Sequence, residues 1–146
     1  MHRAVAPPYP ERVSSRTNLS SESLYEPAVG YSRAVRTGPL IAVAGTTGEG
    51  DEITVQTRNA LRRIESALQG LGADLVDVIR TRMFVTDISQ WRAVGAVHAE
   101  FFGDIRPAAT MVEVAALIEP HLMVEIEADA YVADGNSGNR PSGPGG

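Results

Sequence analysis

The chain has no cysteine among its 146 residues. It therefore has no disulfide framework, no thiolate nucleophile and no thiolate metal site. Lysine is missing too, since all 13 basic residues are arginine, and this removes the usual Schiff-base and pyridoxal-phosphate anchor. Positive charge is in deficit: 13 basic residues face 18 acidic ones, giving a net charge of -5 and a pI of about 5.1. Nucleic-acid affinity rests on clustered basic side chains, so nucleic acid is not an expected partner. No apolar run approaches the ~20 residues that span a bilayer. The opening MHRAVAPPYPER has no apolar signal-peptide core. The expectation is a cytoplasmic, soluble protein with no membrane partner.

The length suits one domain with a sizeable core. Residues 1–24 hold Pro7, Pro8, Pro10 and the polar run SSRTNLSSES without periodicity, and are expected to form a mobile arm. Residues 134–146, DGNSGNRPSGPGG, contain no apolar side chain. They are expected to be a disordered tail, because nothing offsets the entropy of ordering them. The domain proper is then 25–133.

Within it, Tyr31 to Val35 and Leu40 to Ala44 read as a first hairpin around Gly38-Pro39. The loop Gly45-Thr46-Thr47-Gly48 follows, ending near Asp51. From Thr54 to Leu71, the residues Leu61, Ile64, Leu68 and Leu71 fall at helical spacing. Thr54 or Asp51 is the expected N-cap, with Gly70 and Gly72 as the stop. Val78 to Val85 reads as a strand with Ile79, Thr81, Met83 and Val85 on one face and Arg80, Arg82 and Phe84 on the other. Asp87 is expected to cap a second helix from Ile88 to Phe102, with Trp91, Val94, His98 and Phe101 along its apolar stripe and Gly103 closing it. Ala109 to Leu117 reads as a strand, and Ile118-Glu119-Pro120-His121 as a hairpin-type turn, because Pro120 cannot donate to a ladder. Leu122 to Val132 alternates strictly: Leu122, Val124, Ile126, Ala128, Ala130 and Val132 share one face, and Met123, Glu125, Glu127, Asp129 and Tyr131 the other. The order β-β-α-β-α-β-β, with two amphipathic helices on one face of a mixed sheet, is an α+β arrangement.

RPAATMVEVAAL followed by VEIEADAYV resembles the C-terminal signature of the RidA family of reactive enamine and imine deaminases, whose usual form is P-A-R-[ST]-x-V-E-V-x-x-L and then [IV]-E-I-E-A. The likeness extends to YSRAVRTGPLIAVAGTTG and VIRTRMFVTD, covering roughly Val29 to Val132. It implies a chorismate-mutase-like fold, a homotrimer with clefts at the subunit boundaries, and hydrolytic release of ammonia from a small molecule. It implies no metal and no organic cofactor.

Carried over residue by residue, the family's water-directing Glu falls on Glu125 and its first-strand aromatic on Tyr31. Its carboxylate-gripping Arg falls on Ala109, its Ser before the second-strand Gly on Ala44, and its Asn in the second helix on Gly95. An Arg fork holds a planar acid bidentately; Ala109 cannot. Each position also has a structural reading. Glu125 belongs to an acidic stripe with Glu127 and Asp129, and Tyr31 can pack at a sheet edge. Arg80 and Arg82 can pair with that stripe or replace the lost anion grip. Arg106 lies three residues before Ala109, with Pro107 between, and is a poorer replacement. His98 fits a satisfied, half-buried histidine on a helix stripe, and His121 a turn residue. With no third histidine to join them, no metal site is expected. The glycine loop at 45–48 lacks the Lys and spacing of a P-loop.

The functional expectation is a RidA-like hydrolase for an enamine or imine other than the standard 2-imino acid. The alternative is a catalytically silent trimer that binds a small ligand. A ribonuclease or translation-inhibitor role is disfavoured by the acidic balance.

Overall fold

In a computed structural model of the chain, residues 15–133 are described. The segment 134–146 and the first part of the expected arm, 1–14, lie outside them. Six strands form one mixed sheet in the order β1-β2-β3-β6-β4-β5. They are β1 (Arg16–Leu19), β2 (Ala34–Thr37), β3 (Leu40–Thr46), β4 (Val78–Val85), β5 (Ala108–Glu113) and β6 (Val124–Tyr131). Three α-helices, α1 (Tyr25–Val29), α2 (Ile53–Gly70) and α3 (Trp91–Phe102), accompany them. The architecture is the expected α+β, chorismate-mutase-like fold.

The alternation of β6 holds. Val124, Ile126, Ala128 and Ala130 are buried at 0–1% exposure under the helices, and Glu125, Glu127 and Asp129 line the other face. Leu61, Ile64 and Leu68 of α2 are fully buried against this sheet. Each such side chain contributes about 1.5–3 kcal/mol relative to exposure. Helix α2 ends in a Schellman motif. Gly72, at φ 79°, donates to the Gln69 carbonyl and Ala73 to that of Leu68, a left-handed turn that glycine enters without penalty.

Several expectations are corrected. Arg16–Leu19, assigned to the mobile arm, is an edge strand antiparallel to β2. Its polar sequence carries no periodicity; pairing with β2, donation from Asn18 Nδ2 to Ser32 Oγ at 2.9 Å and the packing of Leu19 near Gly70 hold it. The short helix α1 also falls where the sequence showed none. The last two strands do not form a hairpin: β5 runs parallel to β4, and β6 inserts between β3 and β4, antiparallel to both. The unit β4-α3-β5 is instead a crossover, which puts β5 on the sheet edge. Helix α2 is preceded by Glu52, and no side chain caps it, so neither Thr54 nor Asp51 has the assigned role. In β4 an irregular register between Val78 and Arg80 turns Val78 inward and leaves Ile79 at 53% exposure. Asp87 caps a 3-10 turn, Ile88–Gln90, through Ser89. The tighter turn shifts the phase of α3, so that Val94, Val97 and Phe102 are buried and Trp91 is 48% exposed under Arg92.

The segment between β1 and β2 is held by Glu26, which is buried. Its carboxylate accepts from Ser21 Oγ at 2.6 Å, Ser21 N at 3.0 Å and Ser23 N at 3.3 Å. The Ser21 hydroxyl is the foremost reason that the Glu26 carboxyl is lowered from 4.5 to about 2, against the opposing effect of burial. A depressed carboxyl contributes stability above its unfolded pKa and loses it as pH falls through the folded one. The melting-temperature gap between wild type and Glu26→Gln should therefore be full above pH 4.5 and close as pH falls towards about 2. A gap independent of pH in thermal melts would remove the ionised hydrogen-bond network from this account.

Candidate functional site

A cleft of about 560 Å³ opens between the segment following β1, the end of β3, α2 and the β5–β6 connection, lined among others by Tyr31, Arg33, Gly45, Arg63, Leu122 and Glu125. Its size suits a small molecule. It is organised by a bulge. Val43 pairs with Ala128 and Thr46 with Ile126, so Ala44 and Gly45 oppose the single residue Glu127. Such a two-against-one step bends the strand and re-aims its backbone.

The polar groups of the bulge are satisfied locally. Ala44 donates to the Arg33 carbonyl at 3.0 Å, Thr46 Oγ1 donates to the Ala44 carbonyl at 2.7 Å, and Arg33 Nη2 donates to the Gly45 carbonyl. Gly45 also gives Glu125 its room. A Cβ built there would lie 2.9 Å from Glu125 Cδ and 3.0 Å from Oε2, too close for any residue but glycine unless the carboxylate moves.

Glu125 is half-buried on β6. Burial is the largest influence on its carboxyl and raises its pKa; the Arg33 guanidinium pulls it back down and Glu127 adds to the rise. Arg33 is 6% exposed, and its Nε has no hydrogen-bond partner among the described residues. Burial foremost, and then the neighbouring Arg63, lower its pKa, though a guanidinium stays charged. Arg63, exposed on α2, donates to the Thr47 carbonyl at 2.6 Å.

Two loops of the cleft are tied together by Gln56, fully buried on α2. Its Nε2 donates to the carbonyls of Gly50 and His121, and its Oε1 accepts from Met123 N. At the rim, Tyr25 donates to Glu119 at 2.7 Å, while His121 lies 2.9 Å from Glu49 and 3.5 Å from Glu119.

Of the residues singled out from sequence, Tyr31, Ala44 and Glu125 come together here. Tyr31 and Ala44 also border a second hollow of about 450 Å³ on the open face of the sheet, with Glu127 and Asp129. Ala109, Gly95, Arg80, Arg82, Arg106 and His98 do not line the cleft. Ala109 is exposed on β5, and Gly95 faces open space on α3. Arg82 bonds Glu127 at 3.3 Å and Asp129 at 3.1 Å, the cross-strand pairing expected of the acidic stripe. Exposed Arg106 has φ 54° and donates to the Gly103 carbonyl. His98 meets Thr81 Oγ1 at 2.9 Å and packs on Phe102, and burial lowers its pKa. Among the described residues no group of three or more His, Asp or Glu side chains is placed to hold a metal ion. Sequence reasoning passed over Arg33 and Arg63, and it assigned Gly45 and Thr46 to a loop, whereas both belong to β3. Period two, applied to the strand expected from Tyr31 to Val35, would have put Arg33 on the same side as Tyr31.

The model of the family Endoribonuclease L-PSP matches residues 21–132. A RutC family protein from Pyrococcus horikoshii is 36% identical over 122 residues, spanning 77% of this chain and 95% of the relative. Rv2704 from Mycobacterium tuberculosis, a solved member of the YjgF/YER057c/UK114 family, is 69% identical with a TM-score of 0.80, covering 81% of this chain and all of that one. YyfA from Yersinia pestis, described as a protein of unknown function of the conserved Rid family, is 27% identical with a TM-score of 0.70 over 80% of this chain and 99% of its own.

The contact between Gly45 and Glu125 has a direct test. Gly45 does not require a left-handed backbone, so Gly45→Ala should fold and melt within about 4 °C of wild type, a change of roughly 1 kcal/mol. Its added methyl should displace the Glu125 carboxylate and shift that carboxyl's titration in NMR. An unchanged titration would mean that the two do not touch.

Proposed function

Since the chain belongs to the RidA/YjgF family, also named Endoribonuclease L-PSP, we propose that it hydrolyses the C=N bond of a small reactive enamine or imine at the Glu125 cleft. The observation that carries this reading is the Glu125 carboxyl itself, half-buried against the Gly45 backbone with its pKa raised by burial. A base whose pKa moves towards the working pH takes a proton more effectively in the transition state. An enamine first tautomerises to the imine; water then adds to the C=N carbon and gives one proton through Glu125 to the nitrogen, forming a carbinolamine. Its hydroxyl proton then passes by Glu125 to the nitrogen as the C–N bond breaks and the C=O bond forms, so that ammonia leaves a carbonyl compound. Tyr31, beside the same cleft, is positioned to bond the reacting group.

The substrate differs from a standard 2-imino acid held at position 109, because Ala109 has no side-chain donor. Ribonuclease action is not part of this reading. A net charge of -5 opposes a phosphate backbone. We place the protein in the cytoplasm as a homotrimer. Among the described residues Leu40 is 51% and its cross-strand neighbour Tyr131 49% exposed, and edge strand β5 leaves Val112 42% exposed, apolar surface that a second copy could cover.

Ammonia release should be followed from small imines generated in situ, with and without a carboxylate. Glu125→Gln should slow the reaction by about 10²–10⁴-fold, the usual contribution of a positioned base. If wild type releases no ammonia above background but still binds small ligands, the silent binding protein favoured by Ala44, Gly95 and Ala109 is the correct reading.

In light scattering coupled to size exclusion, the mass should be near three times the 15.5 kDa of one chain. A monomer at micromolar concentration would refute the assembly.

A further inference from the structure

We propose that Arg33 and Arg63 form an anion-binding subsite at the inner end of the cleft and hold the carboxylate of a small planar substrate. This rests on the cleft being a ligand site, and it names the chemical class that the site takes. The grip comes from the residue just before β2 and from α2, not from β5, where the family signature has its Arg.

Four observations support it. First, Arg33 is 6% exposed, and no carboxylate among the described residues lies within ion-pair distance of it or of Arg63. Buried charges are ordinarily paired, because removing an ion from water is costly. Second, Arg33 Nε is buried without a partner, and its one side-chain hydrogen bond among the described residues runs from Nη2 to the Gly45 carbonyl. Third, the two guanidiniums are close enough to repel each other, an arrangement that a bound anion would relieve.

Fourth, the carboxylates able to neutralise them are engaged elsewhere. Glu26 bonds Ser21 and Ser23, Glu119 bonds Tyr25, and Glu49 bonds His121. Glu125 remains. It feels the Arg33 charge but forms no ion pair with it, which leaves it free as the base. A carboxylate bound at Arg33 and Arg63 would lie in the same cleft as Glu125, with the planar guanidinium matched to the planar acid.

The probes are crotonate and its neutral isostere crotonamide, titrated by calorimetry against wild type, Arg33→Gln, Arg63→Gln and Ala109→Arg, with amide shifts recorded in parallel. Wild type should prefer crotonate by about tenfold or more, the value of a charge-assisted contact, and added salt should weaken the preference. Both Arg→Gln variants should lose the preference and keep crotonamide binding. Arg33 also supports the bulge, so if Arg33→Gln does not fold, exposed Arg63 carries the test alone. Shifts at Gly45 and Glu125 support the assigned position, whereas shifts confined to Ser66 and Gly70, which line the hollow behind the arginines, overturn it. Equal binding of the two probes by wild type, or an undiminished preference in Arg63→Gln, also overturns it. A crotonate preference without ammonia release from any imine upholds the subsite while removing the deaminase reading. Ammonia release without the preference does the reverse.

Discussion

The site depends on one extra residue in β3. Because Ala44 and Gly45 together oppose Glu127, the strand bends at the point where it passes Glu125, and the backbone rather than a side chain forms the wall against that carboxylate. A strictly paired strand would set a side chain there, and the position next to Glu125 would be filled. The bulge in turn needs donors for its carbonyls, which Arg33 and Thr46 supply. Arg33 is thus fixed by the same irregularity that leaves room beside Glu125, and the two charges are set by one backbone feature.

The rest of the fold maintains that arrangement. Helix α2 buries its apolar stripe under β6 and β3, and its Gln56 reaches through to both loops of the cleft. A buried amide that satisfies three backbone groups is costly to replace, since each group left unpaired costs about 1–3 kcal/mol. Packing and polar satisfaction are coupled here: the helix cannot shift along the sheet without breaking the bonds that space Gly50 from His121 and Met123.

The arginine-only composition takes on meaning in this setting. An ammonium buried at Arg33 would offer a point charge, and burial could neutralise it. A guanidinium keeps its charge, and its fork can hold the bulge through Nη2 while the opposite edge remains unsatisfied. The absence of lysine removes lysine Schiff-base chemistry from the chain.

The sequence by itself determined the α+β class, the strands β4 and β6, the helix α2 and the face on which Glu125 lies. These follow from local periods of 2 and 3.6, which residues express wherever they stand in the chain. Motif matching also placed Glu125 and Tyr31 in one group. Tertiary structure alone decided that β6 inserts between β3 and β4, because strand adjacency is set by crossover handedness and burial rather than by order along the chain. It alone ordered Arg16–Leu19, whose polar residues have no pattern until β2 offers an edge. Within one chain it also set Arg33 and Arg63 on the same cleft and left Ala109, Gly95, Arg80, Arg82, Arg106 and His98 off that lining. Arg33 and Arg63 lie thirty positions apart, one just before β2 and one on α2. Their meeting depends on how α2 packs over the sheet, a long-range geometry that no local pattern encodes.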